Sequence, residues 1–147
     1  MLADDLRDMA PRASGWVTLD AARVKLFADA TEDWQFIHRD EERSAAETPF
    51  GGCVAHGFLT LSMLSKMSYE VMEGLEGVRS SVNYGFDRIR FVSPVRVGRR
   101  IRGRFIVASV DERQGCLDVH WDVEVEIEGA ERPALAANWI TRLYLEG

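Results

Sequence analysis

Apolar and polar residues alternate along the C-terminal half of the chain, most regularly over residues 117–128. A period of two sends successive side chains to opposite faces, so this segment predicts a strand with one buried and one solvated face. Similar patterns predict strands over residues 101–110 and 134–145, and Gln114-Gly115 predicts the turn before residues 117–128. The C-terminal half therefore predicts long antiparallel strands joined by short turns.

Residues 80–91 predict a further strand, in which the alternation changes phase near Gly85. One face carries Val82, Tyr84 and Phe86, and the other carries Ile89 and Phe91. A glycine at such a change of phase is typical of a β-bulge, so we expect one there.

The N-terminal half shows helical patterns instead. Asp20 predicts the N-cap of a helix that ends near residue 30, the segment 31–39 predicts a loop, and Asp40 predicts the start of a short acidic helix. The most apolar segment, residues 54–72, predicts one long helix whose apolar stripe is so wide that other elements must surround it. Residues 1–15 show no clear period and are expected to form an N-terminal tail with at most one helical turn.

This order of elements predicts the fold class. Helices followed by a run of long strands are typical of α+β proteins. The simplest arrangement is an antiparallel β-sheet, solvated on one face, that wraps around the long apolar helix. A chain of 147 residues without a repeat or a long linker fits one such domain, spanning residues 1–147.

Charge narrows the classes of partner. The formal net charge of −6 opposes a nucleic-acid partner, since phosphate binding requires a basic surface. Seven arginines nevertheless lie between Arg88 and Arg104. They either occupy the solvated faces of strands or bind the phosphates of a carried substrate, and the sequence leaves both interpretations open.

No segment predicts export or membrane insertion. The acidic N-terminus lacks the apolar core of a signal peptide, and residues 53–72 are too polar to span a bilayer. Cys53 and Cys116 match no zinc or redox motif and suit a reducing compartment. We therefore expect a cytoplasmic protein without a membrane partner.

The candidate chemistry begins in the predicted loop, where Asp33 and His38 are five positions apart. This is not helical spacing, so only a folded loop can bring the two side chains together. A carboxyl group and an imidazole near apolar residues suit general acid/base catalysis. Alternatively, Asp33 caps a turn and His38 is an ordinary surface residue. The histidines lack paired ligand spacing, so no metal site is predicted.

His56-Gly57 follows Phe50-Gly51-Gly52 at the start of the long apolar segment. Free N–H groups at a helix N-terminus attract negative charge, and a glycine there lets a ligand approach the backbone. Such a site can hold a thioester oxygen that gains charge during a reaction. Ser62 either reaches a ligand or bonds back to a carbonyl one turn earlier.

Taken together, these residues resemble the hydratase motif of MaoC-like (R)-specific enoyl-CoA hydratases, in particular the subgroup that includes nodulation protein N. The positions in register are Phe27-Ala28, Asp33, His38, Phe50-Gly51-Gly52, Ala55-His56-Gly57, Leu59 and Ser62. The run of residues 82–91, with Pro94-Val95 and Gly98, is similar to the same subgroup, so the resemblance covers most of residues 16–145.

The resemblance implies a hot-dog fold, in which an antiparallel sheet wraps around a long helix and usually forms a homodimer. It also implies that Asp33 and His38 activate a water that attacks C3 of a 2-enoyl thioester, while C2 receives a proton. The N–H of Gly57 would hold the thioester oxygen, with His56 and Ser62 as further substrate-binding residues.

The substrate that the resemblance implies is a thioester of coenzyme A or of an acyl carrier, and no separate cofactor is expected. Arg88 and Arg90 are candidate contacts for the phosphates of coenzyme A. Many hydratases of this family have Asn-Pro where this chain has Gln35-Phe36. Because proline fixes φ and restricts the preceding residue, we expect a different loop shape here, with Phe36 as an added substrate contact.

Two other functions remain open, because fold alone does not determine activity. Hot-dog folds also host thioesterases, which would hydrolyse the thioester bond. A non-catalytic subunit that binds acyl thioesters is a different class, and the altered Asn-Pro positions keep it open.

Overall fold

The computed structural model describes every residue from Met1 to Gly147, with five helices, six strands and a 3₁₀ turn at Phe36–His38. The helices are α1 (Leu2–Arg7), α2 (Ala21–Thr31), α3 (Glu41–Glu47), α4 (Gly57–Ser62) and α5 (Leu64–Val71). The strands are β1 (Arg12–Ala13), β2 (Val17–Thr18), β3 (Val78–Phe91), β4 (Arg100–Arg113), β5 (Cys116–Ile127) and β6 (Leu135–Leu145).

The strands form one antiparallel sheet in the order β1-β4-β5-β6-β3, with β2 also paired to β4. The long strands β3 to β6 confirm the four predicted from alternation. On β5, Val119, Trp121 and Val123 are buried, whereas Asp122 and Glu124 are exposed on the outer face. The register between β3 and β6 shifts between Asn83 and Gly85, so the predicted bulge is confirmed.

The core lies between the sheet and the helices. A cluster of 25 buried apolar residues extends from α1 to β6, and α5 contributes Leu64, Met67 and Val71 to it. Burial of side chains of this size stabilises the fold by about 1.5–3 kcal/mol each, so α5 is held mainly by packing. No helix combines the length and the apolar character needed to cross a bilayer.

The long helix predicted over residues 54–72 is wrong in two respects. Its first residues are extended, because Val54 forms a β-bridge with Arg96 and the N–H of Ala55 donates to the carbonyl of Val95 at 2.8 Å. The remainder is broken at Met63, which ends α4 and precedes α5. Apolar content alone did not distinguish a buried bridge from a buried helix.

The predicted N-terminal tail contains a short helix and is not a free tail, since residues 1–15 are folded against β4. Leu6 of α1 is fully buried, and Arg7 donates to the carbonyl of Val110 at 3.1 Å. The N–H of Ser14 donates to the carbonyl of Gly103 at 2.8 Å, and the hydroxyl oxygen of Ser14 accepts from the N–H of Gly103 at 2.9 Å. A helix of six residues is too short to show a helical period in the sequence.

Candidate active site

Asp33 is placed by the abrupt end of α2. Glu32 is the only non-glycine residue with positive φ (59°), and its N–H donates to the carbonyl of Ala28. The N–H of Asp33 donates to the same carbonyl at 3.1 Å. A left-handed conformation at glutamate is uncommon and carries strain, which is typical of functional loops. The chain therefore turns away from the helix at the residue before the predicted catalytic carboxyl group.

His38 ends the 3₁₀ turn and is tied to the segment before α4. Its Nδ1–H donates to the carbonyl of Val54 at 2.6 Å, and the N–H of Val54 donates to the carbonyl of Ile37 at 3.0 Å. Because a carbonyl oxygen only accepts, the proton of the neutral ring lies on Nδ1 and the lone pair on Nε2. No protein atom is hydrogen-bonded to that Nε2, so it is available as a base.

The pKa of His38 lies below its usual value of 6.5. Burial is the main cause, since it disfavours the charged ring, and the neighbouring His56 acts in the same direction. The hydrogen bond to Val54 and the charge of Asp33 act in the opposite direction. The neutral form of His38 is therefore favoured near neutral pH.

His56 is the N-cap residue of α4 and is only 3% exposed. Its Nε2–H donates to the main-chain carbonyl of Asp33 at 3.1 Å. Its ring stacks on His38, with centroids 3.6 Å apart and an interplanar angle of 21°, and lies 4.9 Å from the ring of Phe27. The Nδ1 atom of His56 is buried without a hydrogen-bond partner.

These contacts bring together the two residues of the predicted pair. One carboxylate oxygen of Asp33 and one ring nitrogen each of His38 and His56 lie within 4.8 Å of one another. The loop required by the five-residue spacing is therefore present. Spacing did not predict that His56 joins the pair, because it lies 18 positions after His38.

Two imidazoles and a carboxylate are also a ligand set for a divalent cation. The arrangement does not suit one, because imidazole lone pairs lie in the ring planes, and two nearly parallel stacked planes do not converge on one ion. In addition, Nδ1 of His38 and Nε2 of His56 are already bonded to carbonyl oxygens. These side chains fit proton transfer better than metal coordination.

A cavity of about 260 Å³ adjoins the cluster, and both His38 and Gly57 line it. Its walls are largely apolar and include Phe50, Phe91 and Pro94, whereas Asp33 is not among the lining residues. The N–H of Gly57 donates to no protein acceptor. A Cβ at this position would lie 3.0 Å from the ring of Phe91, so that ring leaves little room for a side chain here. The cavity thus joins an imidazole to a free backbone donor.

The loop before α4 is held by an ion pair that the sequence did not identify. Arg96 donates to Glu41 at 3.0 Å and to the carbonyls of Cys53 and Phe50, while Glu41 accepts from the N–H of Cys53 at 2.9 Å. A Cβ at Gly52 would overlap this pair, which explains the second glycine of the motif. The sequence analysis did not identify this pair, because Glu41 and Arg96 lie 55 positions apart.

Two residues expected to bind substrate do not line the cavity beside His38. Ser62 is exposed, and its hydroxyl donates to the carbonyl of Phe58 at 2.6 Å, which is the back-bonded alternative. Phe36 lies outside the cavity, with the guanidinium of Arg43 at 3.9 Å from its ring centroid. The side chain of Phe36 therefore packs with Arg43 and not against the cavity that contains His38, and its contact with a substrate stays a prediction.

Five of the seven clustered arginines are engaged by polar groups of the protein. Ion pairs join Arg96 to Glu41, Arg100 to Glu128, and both Arg102 and Arg104 to Glu126, while Arg99 donates to the carbonyl of Glu128. Arg88 and Arg90 form no ion pair. Both line an outer cavity of about 610 Å³, which shares Val92 with the cavity beside His38. The solvent-face interpretation is thus confirmed for Arg100, Arg102 and Arg104 on β4, whereas Arg88 and Arg90 form no ion pair.

Comparison with known proteins agrees with this arrangement. The family model of the MaoC like domain matches residues 4–129. Nodulation protein N of Rhizobium meliloti (strain 1021) is 52% identical over 128 residues, which cover 86% of this chain and 80% of that protein. 3-hydroxyacyl-thioester dehydratase Z of Mycobacterium tuberculosis (strain ATCC 25618 / H37Rv) is 42% identical over 130 residues, 88% of this chain and 85% of that protein. The (R)-hydratase of A. caviae involved in PHA biosynthesis superposes with a TM-score of 0.73 at 23% identity, covering 90% and 92% of the two chains.

The sheet wrapped around α5 is a hot-dog fold, as predicted. The chain belongs to the MaoC-like dehydratase family, and its identity with nodulation protein N places it in that subgroup. This membership supports a hydro-lyase activity, that of a hydratase/dehydratase.

Proposed function

We propose that this protein adds water reversibly to the double bond of a 2-enoyl thioester, giving an (R)-3-hydroxyacyl thioester. The observation that carries the proposal is the convergence of Asp33 and His38 within 4.8 Å, beside a cavity that also presents the free N–H of Gly57. The hydration of an enoyl thioester needs a base for water, a proton for carbon and a donor for the thioester oxygen.

In the proposed reaction, the lone pair on Nε2 of His38 accepts a proton from water while Asp33 orients that water. The water oxygen forms a bond to C3, the electrons of the double bond move toward the thioester, and the N–H of Gly57 stabilises the charge on its oxygen. The proton then passes to C2 and restores His38. These steps combine the addition of water with proton transfers and involve no change of oxidation state that needs a redox partner, so we propose the reaction without a cofactor or a metal ion.

The assay that tests this proposal separates it from both alternatives. A short-chain 2-enoyl-CoA is mixed with the protein, and the absorbance of the conjugated double bond is followed together with free thiol. Loss of absorbance without thiol is expected for hydration. Release of thiol would instead identify a thioesterase, and tight binding with neither signal would identify a non-catalytic binding subunit.

We propose that Arg88 and Arg90 bind the phosphates of coenzyme A. Both are free of ion pairs, and their cavity meets the His38 cavity at Val92. The double variant Arg88→Ala, Arg90→Ala should raise KM for the CoA thioester with little change in kcat, since the reacting groups are untouched. Arg79→Ala, an exposed arginine earlier on β3, is the matched control. An unchanged KM in the double variant would remove these arginines from the substrate site.

We propose that the protein is a homodimer paired along β3. This strand is bonded only to β6, so its other edge presents unpaired main-chain groups over 14 residues. Exposed Val82 and Tyr84 add apolar surface there, and an uncovered edge of this kind favours pairing with another strand. Light scattering should give a dimer mass for the native chain and for Val82→Ala. Val82→Lys should shift the mass toward the monomer, and a monomeric native chain would contradict the proposal.

A further inference from the structure

His56 is buried where a substrate-binding residue would have to be accessible. It is 3% exposed and does not line the cavity that contains His38 and Gly57. A side chain in that position cannot contact the substrate directly without a rearrangement of the loop. A buried histidine at this position, directly after Ala55, therefore needs another explanation.

The two contacts of His56 lead to both members of the proposed catalytic pair. One edge of the ring donates Nε2–H to the main-chain carbonyl of Asp33 at 3.1 Å. One face of the ring lies against His38 at a centroid distance of 3.6 Å. The loop from Asp33 to His38 is short and follows the strained Glu32. The buried ring of His56 therefore supports this loop at both of its ends.

We propose that His56 is a positioning residue, whose buried ring holds the main chain at Asp33 and the imidazole plane of His38 in one arrangement. The assignment rests on the proposed hydration for its kinetic consequence, but the contacts themselves do not depend on it. Phe27 packs against the ring of His56 from a further side, at 4.9 Å, and keeps it in place.

The alternative is that His56 has a packing role only and fills space in the core. Two observations oppose it. An apolar residue would fill the same space without leaving Nδ1 buried and unpaired, an arrangement that carries a free-energy cost. The hydrogen bond from Nε2–H also goes to the main-chain carbonyl of Asp33, the residue that carries the proposed catalytic carboxyl group. The histidine thus provides a directed contact that packing alone does not need.

Three substitutions separate the two contacts. His56→Gln places an amide donor near the position of Nε2 and can keep the hydrogen bond to Asp33, whereas His56→Asn places its amide near Nδ1 and falls short. His56→Phe keeps an aromatic face against His38 but has no donor. We expect Asn and Phe to lower kcat by about tenfold, the usual effect of losing one buried hydrogen bond, with KM changed by less than about twofold. Gln should recover the part of the loss that comes from the hydrogen bond to Asp33, whereas Phe keeps only the aromatic contact with His38.

A readout independent of activity is amide hydrogen exchange in the loop. The N–H groups of His38 and Arg39 are bonded within the 3₁₀ turn, at 3.1 and 3.0 Å. In His56→Asn and His56→Phe they should exchange about tenfold faster, while His56→Gln stays near the native rate. If Phe fails to fold, the comparison of Gln with Asn carries the test.

The outcomes that overturn the assignment are distinct. Native kcat and native exchange in both Asn and Phe variants would show that His56 only fills space. A raised KM with unchanged kcat would show a substrate contact instead. If the native chain has no hydratase activity, the proposed function fails, yet the exchange measurements still decide whether His56 holds the loop.

Discussion

Two clusters of ionisable side chains in this molecule differ in how completely their polar atoms are paired. Asp118 on β5 is 2% exposed and accepts from Arg142 at 2.6 and 2.8 Å and from Arg113 at 2.7 Å. In the cluster of Asp33, His38 and His56, by contrast, Nε2 of His38 and Nδ1 of His56 have no hydrogen-bond partner. A saturated network stabilises a fold, whereas free polar atoms beside a cavity can act on a ligand.

The largest effect is expected at the unsaturated cluster. Asp33→Asn and His38→Ala each remove a proposed participant in proton transfer, so each should lower kcat by about 10²–10⁴-fold. The midpoint of thermal unfolding should change little in Asp33→Asn, because Asp33 is only partly buried. His38→Ala also removes the hydrogen bond to Val54, so its kcat is measured below its own unfolding temperature. Gln35→Ala, an exposed change in the same loop, is the control. Full activity in either variant would remove that residue from the mechanism.

The saturated cluster should show the opposite behaviour, with an effect on stability and none on kcat. The hydrogen bond from Arg142, with that from Arg113, lowers the pKa of Asp118 to about 2 from a usual 3.8. This shift corresponds to about 2 kcal/mol of stability at neutral pH, which Asp118→Asn should lose in urea unfolding. Glu124→Gln, an exposed change on the same strand, should lose much less.

The pH dependence of that stability has a defined sign. Because the pKa of Asp118 is lower in the folded protein, its contribution is complete above about pH 4 and is lost as the pH falls through about 2. The difference in unfolding free energy between the native chain and Asp118→Asn should therefore shrink across this range. A difference that stays constant down to pH 2 would show that packing, not charge, accounts for the loss.

The sequence predicted the two clusters unequally, for a physical reason. Alternation on β5 placed Asp118 on the polar face, and the motif identified Asp33 and His38, because both signals are local. The stacking of His56 on His38 and the pairing of Asp118 with Arg142 join residues 18 and 24 positions apart. Contacts between residues so far apart leave no periodic pattern in the sequence. For the same reason, the sequence predicted neither the break in the helix at Met63 nor the packing of Leu6 against the core.

A smaller effect is expected in the pH profile of activity. Burial lowers the pKa of His38 below 6.5, so the basic form that the reaction needs persists below that pH. The acid limb of kcat/KM should therefore have its midpoint below 6.5, with activity lost as His38 becomes protonated. Initial rates across a pH series measure it. A midpoint above 6.5 would mean that another group limits the rate or that His38 is not buried in the working protein.

The smallest effect is expected at Ser62, which belongs to the sequence motif but does not lie at the candidate active site. Its hydroxyl is already bonded to the carbonyl of Phe58, and it does not line the cavity beside His38. Ser62→Ala removes a back-bond on an exposed helix surface, a change that usually alters stability by no more than about 0.5 kcal/mol. We expect kcat/KM within about twofold of the native value, because no donor or acceptor of the reaction is removed. A loss of tenfold or more would place the hydroxyl at the substrate and would require α4 to present Ser62 to a neighbouring copy or a rearranged cavity.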